Sequence, residues 1–280
     1  MTTRPLRLGL IGDNIDSSQS PRLHKACGAL TGIPTSYTRL VPPALGLDFD
    51  TLFDSLPDQG YHGVNVTYPY KERAAARVTI ADPATRAIGA VNTVLFTDTG
   101  PQGFNTDHSG FLAAYRATRG TTPPGTVCLI GAGGVGKAVG FALLTLGASE
   151  LICVDLDPLK ARHLADALAA TGTRTRITVS NDAIHAAQRA QGIVNCSPVG
   201  MVNIGGTPLP PEALSHAAWA FDAVYTPTDT RFLQDARRLG LTTITGYDLF
   251  FAQGLDAWAL FSGHPVDPDA LRATLQDTAA

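Results

Sequence analysis

The sequence has few cysteines, and their placement argues against a disulfide framework. Only four of the 280 residues are Cys, at Cys27, Cys128, Cys153 and Cys196. They lie far apart, and neither a C-x-x-C pair nor the Cys/His spacing of a structural zinc site is present. The seven histidines are equally dispersed. We therefore expect reduced thiols, no bound metal and a cytoplasmic location.

Charge is also scarce, and long apolar runs are absent. Charged residues make up 16% of the chain and the formal net charge is -3, without any basic run that would attract nucleic acid or an anionic membrane. No apolar stretch approaches the roughly 18 residues of a membrane span. The first residues, "MTTRPLRLGLIG", lack the apolar core and cleavage site of a signal peptide. We expect a soluble protein without nucleic-acid or membrane partners.

What the sequence does contain is a regular alternation of short apolar segments with longer amphipathic ones. This alternation is typical of an α/β protein with parallel sheets. The predicted strands are Leu6–Ile11, Thr35–Val41, Gly63–Val66, Val91–Phe96, Val127–Ile130, Leu151–Val154, Arg176–Val179, Ile193–Asn195, Trp219–Asp222 and Thr242–Thr245. The predicted helices include Arg22–Leu30, Leu45–Leu56, Lys71–Val78, Ser109–Arg119 with Ser109 as N-cap, Asp248–Ser262 and Pro268–Gln276.

The most specific local pattern is "VCLIGAGGVGKAVG", residues 127 to 140. A short strand leads into a glycine-rich turn, and a helix follows at once. Gly131 permits the tight turn, Gly133 lets the backbone approach a pyrophosphate, and Gly136 lets the helix pack closely on the strand. The free N–H groups at the start of the helix favour phosphate binding. The pattern predicts a Rossmann dinucleotide-binding domain, preceded by a turn-rich break at "GTTPPGT" (120–126).

Asp155 ends the next predicted strand, 155 − 131 = 24 residues after the first glycine. A carboxylate at this place accepts hydrogen bonds from the ribose hydroxyls of NAD and repels the 2′-phosphate of NADP. Leu156, which follows, offers that phosphate no positive partner. The ordinary alternative for Asp155 is a cap on the helix beginning at Pro158, although Asp157 is better placed for it. NAD is therefore the predicted cofactor.

Polar residues follow several strand ends in the first half of the chain. Lys71 comes two residues after Pro69, which ends the apolar segment "GVNV" because proline has no N–H for a strand ladder. Taken alone, Lys71 reads as a solvated charge at a helix start. The other polar residues fit helix caps or turns equally well when taken singly. They are Ser18, Ser20, Asn92, Thr93, Asn105, Thr106 and Asp107.

Taken in order, these stretches resemble the shikimate dehydrogenase family, including its quinate/shikimate branch. The matching segments are "SSQSPRLHK", "NVTYPYK", "IGAVNT", "NTDHSG", "GAGGVGKA", "NCSPVGM", "DAVYTPTDT" and "GYDLFFAQGLDAW". They extend from Gly9 to about Gly263. The resemblance implies an N-terminal α/β substrate domain (1–108 and 248–280), a Rossmann domain (109–247) and an active site in the cleft between them.

The resemblance also implies a role for individual residues. Lys71 and Asp107 would form the catalytic pair. A small cyclic hydroxy acid would be bound by Ser18, Ser20, Asn65, Thr67, Asn92, Tyr225 and Gln253. NAD would be bound by Gly131, Ala132, Gly133, Gly134, Val135 and Asp155, with Val224 and Gly246 near the nicotinamide. The implied protein is a monomer or a homodimer and holds no metal.

The reaction implied is hydride transfer between NAD and a ring alcohol of shikimate or quinate, in aromatic amino acid biosynthesis or quinate metabolism. Sequence alone leaves open which of the two is used, in which direction, and whether Lys71 acts alone or with Asp107. An aminoshikimate or aminoquinate enzyme and a non-catalytic NAD-binding regulator are further alternatives. The intact Lys71/Asp107 pair argues against the regulator. The chain departs from the family pattern at Lys25, Leu249 and Phe250.

Overall fold

A computed structural model describes residues 5–277 of the chain. The chain divides into two compact units. Unit 1 comprises the described residues up to Thr106 and those from Gln253 onward, and unit 2 extends from Asp107 to Ala252. The domain limits predicted from the sequence, 108/109 and 247/248, stay a prediction. The second division between the compact units lies inside the long helix α10 (Gly246–Ser262).

Unit 1 is built on a five-stranded sheet of order β2-β1-β3-β4-β5. Its strands are β1 (Leu6–Ile11), β2 (Thr35–Leu40), β3 (Gly63–Val66), β4 (Thr93–Thr97) and β5 (Gly100–Phe104). Its helices are α1 (Ser20–Thr31), α2 (Phe49–Ser55), α3 (Lys71–Ala75), α4 (Pro83–Ile88), the later part of α10 and α11 (Pro268–Asp277).

The sheet of unit 1 is mixed, which corrects the expectation of parallel sheets throughout. β1 pairs in parallel with β2 and β3, whereas β4 runs antiparallel to both β3 and β5. β5 was not predicted because "GPQGF" carries two glycines and a proline, which disfavour strands. It forms as an edge strand, where proline is tolerated. The short turn at 98–99 makes β4 and β5 a hairpin.

Apolar packing anchors β3 in the core of unit 1. Val64 and Val66 on β3 are fully buried against a cluster that includes Phe49 and Phe53 of α2. Burying side chains of this size contributes about 1.5–3 kcal/mol each. Residues 67–71 therefore follow directly after a strand that is held in place by the core.

Unit 2 contains a six-stranded sheet of order β11-β10-β9-β6-β7-β8, in which all pairings are parallel. The strands are β6 (Thr126–Ile130), β7 (Glu150–Val154), β8 (Arg176–Val179), β9 (Gly192–Asn195), β10 (Trp219–Asp222) and β11 (Thr242–Ile244). The helices are α5 (Thr106–Arg119), α6 (Gly134–Thr145), α7 (Pro158–Ala169), α8 (Ala183–Gln188), α9 (Arg231–Arg238) and the start of α10.

This strand order places the topological switch point of unit 2 between β6 and β9. After β6 the chain adds β7 and β8 on one side, then crosses over to place β9 and β10 on the other. Ligands of open parallel sheets bind at the carboxyl ends of the strands beside such a switch. The loops after β6, β7, β9 and β10 all leave the sheet at that edge.

Several predicted helices have different limits in the structure; the predicted helix Lys71–Val78, for example, ends at Ala75. α5 begins at Thr106, so Ser109 lies inside the helix and is not its N-cap. The predicted helix Leu45–Leu56 is replaced by a 3₁₀ turn at Pro43–Leu45 and by α2. Gly46 adopts a left-handed φ of 68°, which ends the turn, and Asp48 caps α2 by accepting from the Thr51 N–H at 2.9 Å.

No helix formed by residues 5–277 is long and apolar enough to cross a membrane.

Candidate active site

The glycine-rich loop after β6 forms a cradle in which two of the glycines are required by close backbone approach. Gly131 has a φ of 98°, and a Cβ there would lie 2.6 Å from the carbonyl carbon of Cys196. A Cβ on Gly136 would lie 1.9 Å from the carbonyl oxygen of Gly131. Both glycines therefore shape the loop itself.

Gly133 is different, because a Cβ added there would have no atom within 4 Å. It is the N-cap of α6 and is exposed, and it offers no side chain to the first N–H groups of that 12-residue helix. The missing side chain therefore leaves open space in front of a helix N-terminus. That arrangement fits the pyrophosphate of a dinucleotide, with Gly134 and Val135 in the first turn.

Asp155 lies beside this cradle and braces it. Its Oδ2 accepts from the Ala132 N–H at 2.7 Å, and its Oδ1 accepts from the Asp157 N–H at 2.9 Å. Asp157 caps α7, accepting from the Leu159 N–H at 3.0 Å, so Asp155 is free of the capping role considered from the sequence. Leu156 is fully exposed next to it.

Val224 and Gly246 are brought together within unit 2. A Cβ on Gly246 would lie 2.7 Å from the Val224 carbonyl oxygen and 2.6 Å from that of Ala223. Only a glycine lets the start of α10 approach the loop after β10 so closely. In the same loop the ring of Tyr225 stacks on Phe250 with a centroid distance of 4.9 Å and an interplanar angle of 15°.

Sequence reasoning assigned no role to Asn195 and Asp222, which end β9 and β10. Both are fully buried, and Asn195 Nδ2 donates to Asp222 Oδ1 at 2.9 Å. Burial raises the pKa of the Asp222 carboxyl to about 6, although hydrogen bonds from Thr230, Val224 and Asn195 oppose that rise. Asn195 and Asp222 are the first residues of the segments "NCSPVGM" and "DAVYTPTDT", so the sequence contained a signal that could have identified them.

In unit 1 the two predicted serines lie together at the start of α1. Ser18 and Ser20 are both buried, and their hydroxyl oxygens are 3.2 Å apart. The N-cap of α1 is Gln19, whose side chain makes no capping bond, while Ser18 Oγ accepts from the Ser20 N–H at 3.3 Å. Hydroxyls that bond mainly to each other retain donor and acceptor capacity for an oxyanion.

Asn65, Asn92 and Gln253 are joined by a buried amide and hydroxyl network in unit 1. Asn92 Oδ1 accepts from the Thr106 N–H at 2.7 Å, and Asn92 Nδ2 donates to Thr106 Oγ1 at 2.9 Å and to Gln253 Oε1 at 3.4 Å. Asn65 Nδ2 donates to Thr93 Oγ1 at 3.1 Å. Thr93 and Thr106 thus fix how the three amides point.

Tyr37 and His24 extend this network and were missed from the sequence. The Tyr37 hydroxyl donates to Asn65 Oδ1 at 2.8 Å, and the Tyr37 ring stacks on His24 with centroids 4.8 Å apart. Burial lowers the pKa of His24 to about 3, although a hydrogen bond with Asn65 partly opposes this shift. His24 is therefore neutral over the physiological range.

Lys71 and Thr67 follow β3 in unit 1, and Asp107 lies in the first turn of α5 in unit 2. Lys71 is buried as the first residue of α3, and its carbonyl accepts from the Val91 N–H at 2.9 Å. Thr67 holds the turn before it, because its carbonyl accepts from the Tyr70 N–H at 2.9 Å. Asp107 is buried where the N-terminal end of the helix dipole favours a carboxylate.

Of the predicted site residues, those that lie in unit 1 are Ser18, Ser20, Asn65, Thr67, Lys71, Asn92 and Gln253, and those that lie in unit 2 are Asp107, Tyr225, Asp155, the glycine-rich loop, Val224 and Gly246. Hydrogen bonds bring together Ser18 with Ser20, and Asn65 with Asn92 and Gln253 through Thr93 and Thr106. Of the departures from the family pattern, Lys25 is exposed on α1, whereas Leu249 and Phe250 are buried.

The chain is similar in sequence to known dehydrogenases. Residues 10–94 match the model of the shikimate dehydrogenase substrate binding domain. The chain is 36% identical to the quinate/shikimate dehydrogenase (NAD(+)) of Corynebacterium efficiens, over 95% of this chain and 96% of that protein. It is 39% identical to the shikimate dehydrogenase (NADP(+)) of Rubrobacter xylanophilus, over 96% of this chain and 94% of that protein.

A solved structure agrees over the whole length. Quinate dehydrogenase from Corynebacterium glutamicum in complex with NAD superposes with a TM-score of 0.87 at 35% identity, covering 98% of this chain and 99% of that one. The α/β class is confirmed, with an N-terminal substrate-binding domain and a parallel-sheet Rossmann-like domain. The chain belongs to the shikimate dehydrogenase family.

Proposed function

We propose that this protein is an NAD-dependent dehydrogenase. It transfers a hydride reversibly between NAD and the ring alcohol of shikimate, quinate or both, giving 3-dehydroshikimate or 3-dehydroquinate. The observation that carries the proposal is the carboxyl edge of the unit 2 sheet. There the glycine cradle, the N-terminus of α6 and Asp155 lie together in a chain of this family.

The residues that would hold the dinucleotide fit its chemistry. The backbone of Gly131, Ala132, Gly133, Gly134 and Val135 would face the pyrophosphate. Asp155 would accept the ribose hydroxyls, and the backbone at Val224 and Gly246 would flank the nicotinamide. When bound, NAD supplies the acceptor for the hydride that leaves the alcohol carbon.

NAD is proposed over NADP on the strength of two adjacent residues. Each Asp155 oxygen accepts one backbone N–H, and a carboxylate oxygen has about two acceptor sites, so capacity remains for ribose hydroxyls. Leu156 is apolar and exposed where a 2′-phosphate would need a cation. The family includes relatives named for either cofactor, so the assignment rests on these positions.

The substrate would be held mainly by unit 1. Ser18 and Ser20 would donate hydrogen bonds to the carboxylate, and Tyr225 would be a further substrate-binding residue. Asn65, Thr67, Asn92 and Gln253 would bond the ring hydroxyls. Two of these amides, Asn65 and Asn92, are already oriented by Tyr37, Thr93 and Thr106, and groups fixed beforehand lose less entropy when a ligand binds.

Proton transfer is assigned to Lys71 and Asp107 as the catalytic pair. As the hydride leaves, the hydroxyl proton of the same carbon must be taken up by a side chain within reach. Lys71 follows the anchored end of β3, and the Val91 N–H bond holds its backbone. In the reverse direction the same pair returns the proton to the carbonyl oxygen.

The replacement Lys71→Met tests this assignment. Methionine keeps the unbranched length of the stem and removes only the amine, so the protein should fold and bind NADH as before. We expect kcat to fall by about 10²–10⁴-fold, the usual contribution of a general acid or base. Steady-state rates with shikimate and quinate, together with a fluorescence titration of NADH, measure both effects.

The matched control is Lys25→Met, which removes an exposed lysine from α1 of the same unit. It should leave kcat and NADH affinity unchanged. A Lys71→Met protein that keeps more than about a third of the wild-type turnover would contradict the assigned role. A wild-type protein that oxidises neither alcohol would contradict the proposed activity itself.

A further inference from the structure

Asn195 and Asp222 occupy equivalent places at the end of neighbouring strands in unit 2. They are register partners in the parallel pairing of β9 with β10, and each is the last residue of its strand. Their side chains meet beyond the ladder through the 2.9 Å bond from Asn195 Nδ2 to Asp222 Oδ1. The two loops that leave the sheet here are thus joined at their origin.

The Asp222 carboxylate organises the loop after β10. Its Oδ1 also accepts from the Val224 N–H at 3.0 Å, and its Oδ2 accepts from Thr230 Oγ1 at 2.6 Å. Thr230 is in turn the N-cap of α9. Among residues 5–277 no lysine or arginine pairs with this carboxylate. Burying a carboxylate without a cation is costly, so its hydrogen bonds must be well formed.

Asn195 organises the loop after β9 in the same way. Its Oδ1 accepts from the Ser197 N–H at 3.0 Å and from the Ser197 hydroxyl at 2.6 Å, while its Nδ2 also donates to the Val199 carbonyl at 3.1 Å. The loops are linked once more where the Val202 N–H donates to the Thr226 carbonyl at 3.1 Å. Together these bonds hold the loops 195–202 and 222–230 in one fixed relation.

Both loops lie directly against the candidate dinucleotide site. The glycine cradle packs on the first loop, since the absent side chain of Gly131 would overlap the backbone of Cys196 and Ser197. The start of α10 packs on the second, at the Val224 carbonyl. A displacement of the Asn195–Asp222 pair would therefore shift backbone groups that lie against the cradle and against the start of α10.

We propose that Asn195 and Asp222 are positioning residues for the nicotinamide end of the dinucleotide. They hold the backbone of Val224 and of residues 196–199 in the geometry that the bound cofactor requires. The inference rests on the proposed function, because it takes the ligand to be NAD. Loops fixed in advance lose little entropy when a ligand binds, which favours affinity.

The replacement Asp222→Ala tests the inference in the cofactor-free protein and by direct binding. Without the carboxylate, the Val224 N–H and Asn195 Nδ2 lose their shared acceptor. We expect faster hydrogen–deuterium exchange at 196–202 and 222–230, and a Kd for NADH raised about tenfold or more, corresponding to roughly one lost hydrogen bond. Asp222→Asn keeps an oxygen facing both donors and should restore the Kd to within about threefold of wild type.

Asp235→Ala is the matched control for a general loss of stability. Asp235 is another buried carboxylate of unit 2, but it pairs with Arg231 and Arg238 on α9. Its removal should lower Tm while the Kd for NADH stays within about twofold of wild type. Asn195→Ala should weaken NADH binding as Asp222→Ala does, and it decides the matter if Asp222→Ala does not fold.

Two results would overturn the inference. One is wild-type affinity and wild-type loop exchange in Asp222→Ala or Asn195→Ala. The other is an equal loss of affinity in Asp235→Ala, which would make the effect one of stability. If the wild-type protein itself does not bind NADH, the proposed function fails first, so the two failures are distinguishable.

Discussion

His24 is a buried histidine that couples the stability of unit 1 to pH. It lies among aromatic rings, stacked on Tyr37 and in edge contact with Phe261 at 5.6 Å, and its Nδ1 has no hydrogen-bond partner within the described residues. Because burial lowers its pKa from 6.5 to about 3, the folded protein keeps it neutral. The unfolded chain, by contrast, takes up a proton near pH 6.5.

We therefore predict that acidification destabilises the protein through this residue. The unfolded state binds the proton and the native state does not, so stability is lost as the pH falls from about 6.5 towards 3. His24→Phe keeps a ring without a titrating group. The Tm of wild type relative to that of this variant should fall steadily between pH 7 and pH 4. The corresponding loss in the free energy of unfolding should reach a few kcal/mol.

His264→Gln provides the control, because His264 is an exposed histidine of the same unit. Its Tm should track that of wild type over the whole range. A Tm difference between wild type and His24→Phe that stays constant from pH 7 to pH 4 would show that His24 does not carry the effect.

Residues with a local pattern were easier to predict than residues defined by burial. The positions of Asp155 and Asp157 after the strand were enough to predict that Asp157 is the cap of α7. The predicted contact of Asp155 with ribose stays a prediction. The motifs that contain His24 and Asp222 do not show that these side chains are buried. Their burial depends on residues distant in sequence, such as Trp258 for His24 and Asn195 for Asp222.

At the scale of elements, the loop between β6 and α6 contains two glycines with different roles. Gly136 has the Gly131 carbonyl 1.9 Å from the place of a Cβ, whereas Gly133 has open space. We predict that Gly136→Ala destabilises the cofactor-free protein by about 1–3 kcal/mol or more, because a backbone atom must move. Gly133→Ala should cost less than about 1 kcal/mol.

The effect of Gly133→Ala on NADH binding should be larger than its effect on stability. Gly133→Ala would fill part of the open space proposed for the pyrophosphate, so it should weaken NADH binding while its Tm remains near wild type. Chemical denaturation and a fluorescence titration measure the two properties separately. A stable Gly133→Ala protein that binds NADH normally would mean that the open space is not the cofactor site.

Elements were predicted well where propensity and burial agree, and poorly where they conflict. β1, β3, β8 and β10 have the predicted limits because each is a short apolar or β-branched run. β5 was missed because pairing with β4 outweighs its weak propensity. The predicted helix over 45–56 was too long because Gly46 and Asp48 stop and restart the chain within it.

For the whole molecule, the sequence predicted two domains and the order of motifs that marks the family. The predicted domain limits, 1–108 with 248–280 and 109–247, remain a prediction. The compact units divide at 106/107 and 252/253, and the second division falls inside α10, a 17-residue helix without a turn signal from which a division could be read.

NAD-linked oxidation of shikimate or quinate is tested most directly by measuring kcat/KM for each alcohol with each cofactor on the wild-type protein. We expect turnover of at least one of the two alcohols with NAD. We also expect a preference for NAD over NADP of about 10²-fold or more, because in the proposed site Asp155 would repel the 2′-phosphate and Leu156 would give it no partner. Equal values for the two cofactors, a preference for NADP, or no turnover of either alcohol would contradict these expectations.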